Sequence, residues 1–328
     1  MARSGDVSHM TDEMARSYRV AKVFRDNTDS INGMDFSPHG DVFVTSSVDE
    51  SLTVYDVEKP GIKATVNSKK YGVENVTFTR NNNLVVHGST KVDNAIRLLS
   101  LKDNKYLRYF PGHTETVTTI ATHPTEDQFL SGSMDGTVRL WDFNMSNSWA
   151  SIPFGTGRPV ANYDPEGLVM AIGVGSEEIK LFDIRKIGAP FNTLKPRVQN
   201  AAQWTSLKFS PNGTYMLIGT NGSACYVVDA FLGSLVTTFG GYQNTSNGKS
   251  VSIEPCFSPD AQFVFLGSTD QRLHLYNINT KARIGILKSD HTGPILYTKF
   301  NPRYSMIATT CSLSCFWIST VSVASTRN

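Results

Sequence analysis

The chain is short of nearly everything that would tie it to a chemistry or a membrane. Its four cysteines, at 225, 256, 311 and 315, show no disulfide-framework spacing, so free reduced thiols are expected. Cys311 and Cys315 lie close in sequence, but no His or Cys cluster completes a set of ligands, and no metal is expected. The net charge is only +2 and 18% of residues are charged, which leaves no general attraction for nucleic acid or an anionic bilayer. No apolar run approaches the roughly 18 residues of a membrane span. Met1 to Ala15 is polar and has no apolar core, so neither a secretory signal nor an amphipathic targeting helix is expected; residues 1–16 are expected to be a disordered tail. Asn212-Gly-Thr and Asn221-Gly-Ser then read as turns rather than glycosylation sites. No stretch shows a strong 3.6-residue period, so the chain is expected to be all-β.

What is present is repetition. Between Phe110 and Phe143 the chain runs Phe-Pro-Gly-His113, then Ser131-Gly-Ser-Met-Asp135-Gly-Thr, then Trp141-Asp142-Phe. A Gly-His pair, about two dozen residues of short strands and turns, and a Trp-Asp pair resemble a WD repeat, one four-stranded blade of a β-propeller. The resemblance places His113 on the loop leading into the blade, Ser131 on its second strand, Asp135 in an Asp-Gly turn and Trp141 on the third strand. Imidazole, hydroxyl, carboxylate and indole N–H are then expected to form a structural hydrogen-bond network.

One blade cannot bury both of its faces, so copies are required. Pro124 precedes Asp142 by 18 positions, and the same interval separates Pro38 from Asp56, Pro165 from Asp183, Pro211 from Asp229, Pro259 from Asn277 and Asn82 from Ser100. A seventh copy, from Phe300-Asn-Pro302 to Trp317-Ile318, is two residues shorter. Positions 56, 100, 142, 183, 229, 277 and 318 are thus equivalent, with steps of 44, 42, 41, 46, 48 and 41, matching the repeat of about 40–45 residues. The expectation is one domain, a seven-bladed WD-repeat β-propeller over 17–320, with a short C-terminal tail at 321–328. Little chain remains after Ile318 to make a fourth strand. Residues 19–24, Arg-Val-Ala-Lys-Val-Phe, are expected to supply it and close the ring.

Catalytic signals are weak. His113, Ser131 and Asp135 make a triad on paper, yet they fill structural slots and none is a nucleophile on a strained turn. Gly155-Thr-Gly157 lacks the strand-to-helix context and Lys of a phosphate cradle, and Glu177-Glu178 reads as a solvated loop. The chain is therefore expected to be no enzyme and to need no cofactor. Binding remains, and a propeller offers the loops that lead into each blade together with the turns between second and third strands, gathered at one end. That end is expected to carry Arg25 to Ser30, Ser68 to Tyr71, Pro111 to Glu115, Phe154 to Arg158, Arg197 to Trp204, Gly241 to Gln243 and Asp290 to Thr292. Lys69, Lys70, Tyr71, Arg158, Arg197, Tyr242 and His291 are the partner-binding candidates, because aromatics beside cations make interface anchors and phosphopeptide sites.

Several blocks are more specific than a WD repeat: Ser68-Lys-Lys-Tyr-Gly-Val73, Leu99 through His113, Asp164-Pro-Glu-Gly-Leu168, Thr220-Asn-Gly-Ser223, Phe239-Gly-Gly-Tyr242 and His291-Thr-Gly-Pro-Ile295. These resemble the WD repeat-containing protein 82 family, whose yeast members are the WD-repeat subunits of COMPASS. The likeness extends from Tyr18 to Ile318; the N-terminal tail and the Asn- and Ser-rich loop Asn244 to Lys249 depart from it. The resemblance implies a nuclear, chromatin-associated, non-catalytic subunit, monomeric outside its complexes. Its implied partners are a SET-domain histone H3 lysine 4 methyltransferase complex, the phosphorylated C-terminal repeats of RNA polymerase II, and a protein phosphatase 1 complex acting in transcription termination. An adaptor for another machine, as a histone-peptide reader or in a ubiquitin ligase, stays open. So does an RNA-binding propeller, against which the charge balance speaks.

Overall fold

The computed structural model describes residues 9–155, 157–198 and 202–321. The expected tail at 322–328, residues 1–8, and parts of the loops Phe154 to Arg158 and Arg197 to Trp204 lie outside the described residues. Seven four-stranded antiparallel sheets form a seven-bladed β-propeller. In each, the first residue of the second strand pairs with one of the seven equivalent positions: Val42 with Asp56, Leu84 with Ser100, Gln128 with Asp142, Val169 with Asp183, Tyr215 with Asp229, Phe263 with Asn277 and Met306 with Ile318. The spacing in the sequence is thus the register of one hairpin.

The residues used by that ruler have a local job. Ser37, Ser210 and Ser258, each before a proline, close the turn between first and second strands. The serine carbonyl takes the N–H three residues on (2.8, 2.9 and 3.0 Å) and its hydroxyl takes the N–H five residues on (3.0, 2.9 and 3.0 Å). Gly40 and Gly213 sit there with φ of +70° and +72°, where a side chain is costly. At the other end of the hairpin, Asp56, Asp142, Asp183, Asp229 and Asn277 accept backbone N–H groups two or three residues ahead at 2.7–3.1 Å, and Ser100 does the same at 3.2 Å. Short polar side chains suit this turn because they mimic a backbone acceptor. Ile318 is the exception for a clear reason. It leads into no hairpin turn to a fourth strand, since that strand of the last blade comes from the other end of the chain.

That closing strand is Tyr18–Phe24, antiparallel to Ser314–Ser319 with Arg19 opposite Ile318 and Phe24 opposite Ser314. The expectation of a disordered tail through residue 16 is corrected from residue 9 onward. Asp12–Ser17 is a helix, N-capped by the Thr11 hydroxyl, which accepts the Met14 N–H at 3.2 Å. Six residues are too few for a helix to stand alone. This one is held because Met10, Met14 and Ala15 are buried against Phe265 and Leu287 of blade six and Trp317 of blade seven. Asp12 accepts from Asn277 Nδ2 at 2.8 Å and Asp260 accepts the Met10 N–H at 2.8 Å.

The core lies between blades. Val86, Ile96, Leu98 and Phe110 of blade two meet Val117, Phe129 and Trp141 of blade three, each side chain contributing roughly 1.5–3 kcal/mol on burial. Inner strands are covered on both faces: Val42–Ser47, Phe263–Gly267 and Met306–Thr310 are buried throughout. The outer strand Gly61–Asn67 buries one residue in seven. Besides the helix Asp12–Ser17, the outer strand Ala150–Pro153 of blade three and the small hairpin Thr245–Ser246 with Lys249–Ser250 escaped the sequence pattern.

Candidate partner-binding face

Hydrogen bonds between the leading loops of blades one to three and the turns beside them show that these segments share one end of the ring. Thr28 N–H reaches Asp49 at 2.9 Å, Thr114 N–H reaches Asp135 at 3.1 Å, and Thr90 N–H reaches the Tyr71 carbonyl at 3.0 Å. On blade three the loop turns inward. Trp141 Nε1 donates to Ser131 Oγ (2.8 Å), Ser131 Oγ lies 2.7 Å from His113 Nε2, and His113 Nδ1 lies 2.8 Å from Asp135 Oδ2. With the proton on Nδ1, each group in this chain of four has its partner: indole to hydroxyl, hydroxyl to imidazole, imidazole to carboxylate. Burial holds His113 below the usual histidine range, against the pull of Asp135. Asp135 is brought down to about 2 although burial opposes its charge, because Thr137, His113 and the Thr114 amide donate to it. A neutral, fully engaged imidazole is a structural part.

Blade seven repeats the arrangement. His291 Nε2 lies 2.7 Å from Thr309 Oγ1, which accepts from Trp317 Nε1 at 2.8 Å, and Cys311 Sγ, 3.0 Å from Nδ1, stands where blade three has its aspartate. His291 is 4% exposed, and burial pushes its pKa down to about 4. Its expected role as a partner contact is therefore corrected to a structural one. Tyr242 is corrected likewise. It is 5% exposed, lies in the core with Phe239 and Tyr276, and donates to the Gly222 carbonyl at 3.1 Å.

Blade two presents its loop outward. Lys69 and Lys70 are exposed and Tyr71 is half-buried. The Arg97 guanidinium carbon lies 3.7 Å from the centre of the Tyr71 ring and Lys70 Nζ lies 5.0 Å from it, while Tyr106 meets it edge-on at 5.7 Å. Arg97 is itself held by a two-point pair with Asp93, at 2.8 and 2.7 Å. The three candidates thus form a cationic aromatic platform with a fixed underside. Arg97, Asp93 and Tyr106 carry no mark in the sequence as partner-binding residues. The signal was there in register, since Arg97 pairs with His87 as Arg139 pairs with Ser131.

Arg158 stands apart from that platform, on the wall of a central channel of about 640 Å³ lined by the first strands of six blades and by Ser252 and Glu254 just ahead of the sixth blade's first strand. Two ion pairs join neighbouring blades along this wall, Lys299 to Asp35 and Lys208 to Glu254, both at 2.5 Å. Asp35 also accepts Thr77 Oγ1 and the Phe78 N–H at 2.7 and 2.8 Å. Arg197 is exposed beside residues outside the described set. Among the described residues no group of three or more His, Cys, Asp or Glu is placed to hold a metal, and no helix is long and apolar enough to cross a membrane.

Comparison with known proteins fits this architecture. The pattern of the WD domain, G-beta repeat, matches residues 19–56 and 104–142. WD repeat-containing protein 82 of Drosophila melanogaster is 50% identical over 95% of this chain and 97% of its own length. The chain belongs to the WD repeat-containing protein 82 family. It is also similar to the COMPASS component SWD2 of Saccharomyces cerevisiae, 33% identical over 85% of this chain and 88% of that protein. The Set1 complex component swd2 of Schizosaccharomyces pombe is 29% identical over 88% of this chain and 92% of that protein. With His291 and Tyr242 withdrawn, the candidates that remain on the loop face are the exposed Lys69, Lys70 and Arg197 and the half-buried Tyr71, with Arg158 at the channel.

Proposed function

We propose that the chain is a non-catalytic adaptor subunit of a nuclear, chromatin-associated, COMPASS-type histone H3 lysine 4 methyltransferase complex. On this reading it links the enzyme to the phosphorylated C-terminal repeats of RNA polymerase II and also serves a protein phosphatase 1 complex in transcription termination. The observation that carries the polymerase link is the blade-two platform, with two exposed lysines beside a tyrosine stacked on a buried arginine. A phosphoserine brings roughly two negative charges and three acceptor oxygens, which Lys69 and Lys70 can meet while Tyr71 covers an adjacent residue of the peptide. Support for the methyltransferase complex comes from relatives named as COMPASS and Set1 components that align over most of the chain.

Affinity purification of the tagged full chain from nuclear extract, read by mass spectrometry, tests the assembly. A SET-domain methyltransferase or a phosphatase 1 scaffold among the recovered proteins upholds the reading; a folded bait that recovers neither refutes it. Fluorescence anisotropy with a phosphorylated polymerase repeat peptide tests the link. Unchanged binding after Lys69→Glu and Lys70→Glu together would place that contact elsewhere.

A further inference from the structure

The end of the ring opposite the loop face is not bare scaffold. It carries the turns between first and second strands and those between third and fourth strands. Thirteen large apolar side chains are exposed among the described residues, and six of them, Met145, Trp149, Leu168, Phe191, Phe231 and Leu232, fall on this end of blades three to five. An exposed apolar residue by itself is ordinary, whereas a contiguous group marks a contact surface. Shared walls make this group contiguous. A groove of about 370 Å³ runs from Met145 and Trp149 of blade three to Leu168 of blade four, and one of about 790 Å³ runs from Leu168 to Phe191. Leu168 and Arg185 line both. The turn of blade five continues the surface: a Cβ at Gly233 would come within 2.7 Å of the side chain of Leu194, three residues beyond Phe191. Asp229 fixes that turn by accepting the Phe231 and Leu232 N–H groups at 2.9 and 2.8 Å, which leaves the two side chains 73% and 79% exposed. They add nothing to the core of the free chain.

The two ends of the surface differ in charge. Toward Trp149 stand Glu126 and Asp142, neither in an ion pair among the described residues. His123 of the same groove is engaged at both nitrogens, Nδ1 accepting the Glu126 N–H at 2.9 Å and Nε2 donating to the Gly167 carbonyl at 2.8 Å, so it adds no charge. Toward Phe191, Arg185 is closed on Asp183 by two contacts of 2.9 and 2.7 Å, which leaves Lys186 exposed without an ion pair of its own. We propose that this end of blades three to five docks a short segment of a protein partner, with one bulky apolar side chain for each groove, a carboxylate toward Lys186 and a cation toward Glu126 and Asp142. Apolar burial supplies the affinity and the two charges set the direction of the segment. A second copy of the chain fits less well, since an isologous contact would lay groove on groove. The carboxylates at one end repel an anionic bilayer. An adaptor needs two surfaces that can be occupied at once, and this one lies at the other end of the ring from Lys69, Lys70 and Tyr71.

The docking surface goes beyond the adaptor reading, and the purified full chain tests it whichever complex the protein joins. Short random peptides displayed on phage are selected on the wild type and counter-selected on the double variant Leu168→Asp with Phe191→Asp. Both positions are exposed, so the variant keeps the wild-type melting temperature. We expect enriched peptides with two large apolar residues between an acid and a base. The best of them, synthesised and labelled, should lose roughly tenfold or more in affinity for either single variant. Lys186→Glu should weaken it several-fold, and exchanging the acid of the peptide for lysine should restore binding to that variant. Lys69→Glu with Lys70→Glu should leave it unchanged. Peptides that bind wild type and double variant alike, or that lose affinity with the lysine pair, overturn the surface. Failure of the charge exchange overturns the acidic requirement. Sedimentation of the wild type should show a monomer; a dimer that Phe191→Asp dissociates overturns the partner segment and gives the surface to a second copy.

Discussion

Blades two and three use the same slots of one fold for opposite purposes. In blade three, Ser131 and Trp141 receive His113, so the leading loop folds its polar groups into the wall of the ring. In blade two the register puts His87 where Ser131 stands and Leu99 where Trp141 stands. Leu99 has no N–H to give, and His87 spends Nδ1 on the Gly88 carbonyl at 2.8 Å. The His–Ser–Trp network is not made here; Ser68 is buried against Tyr106, 2.6 Å between their hydroxyls, while Lys69 and Lys70 are exposed and Tyr71 lies over Arg97. The contrast shows how a repeat protein acquires a binding surface: not by adding an element, but by leaving one structural network unmade.

The strongest break is expected at blade three. Trp141→Ala removes a fully buried indole and the donor to Ser131, at a cost of about 3–5 kcal/mol, measured by urea unfolding; phosphopeptide binding at blade two should survive in whatever fraction stays folded. His113→Ala leaves Ser131 and Asp135 each short of a partner, and about 1–3 kcal/mol is expected. His291→Ala should match it within about 1 kcal/mol, and a much smaller loss would mean that Cys311 is a poor substitute for Asp135.

Acid sharpens the comparison. His87 and His291 are each pushed down to about 4 by burial. Their folded values lie below the unfolded value, so the stability they contribute is complete above about pH 6.5 and is lost as pH falls toward 4. Each should cost roughly 1 kcal/mol per pH unit within that window. His291→Gln should fall less steeply than wild type between pH 6.5 and 4 in the same unfolding assay; parallel curves would contradict a buried neutral imidazole. The smallest effects on stability belong to blade two. Lys69→Glu and Lys70→Glu should change unfolding by no more than about 0.5 kcal/mol, while phosphopeptide affinity drops at least tenfold.

Much of the fold was legible because a blade is a local object. The turn serines before Pro38, Pro211 and Pro259 and the hairpin-capping residues from Asp56 to Asn277 act within a few positions of themselves, so their spacing survives in the linear chain. The interval from His113 to Ser131 recurs from His291 to Thr309. Thr and Cys in place of Ser and Asp conceal it in the linear chain, where His291 reads as a contact residue. The helix Asp12–Ser17 left no mark because two methionines one turn apart make no period. Its stability comes from Phe265 and Trp317, hundreds of residues away.

By itself, then, the sequence determined the seven blades, their register, the closure of the ring by residues 19–24 and the network around His113, all of which follow from periodic hairpins and short-range capping. Tertiary structure alone decided which polar side chains stay outside. Tyr242 and His291 went into the core and Arg97 came under Tyr71, because those outcomes depend on how the loops and strands pack once the ring has closed.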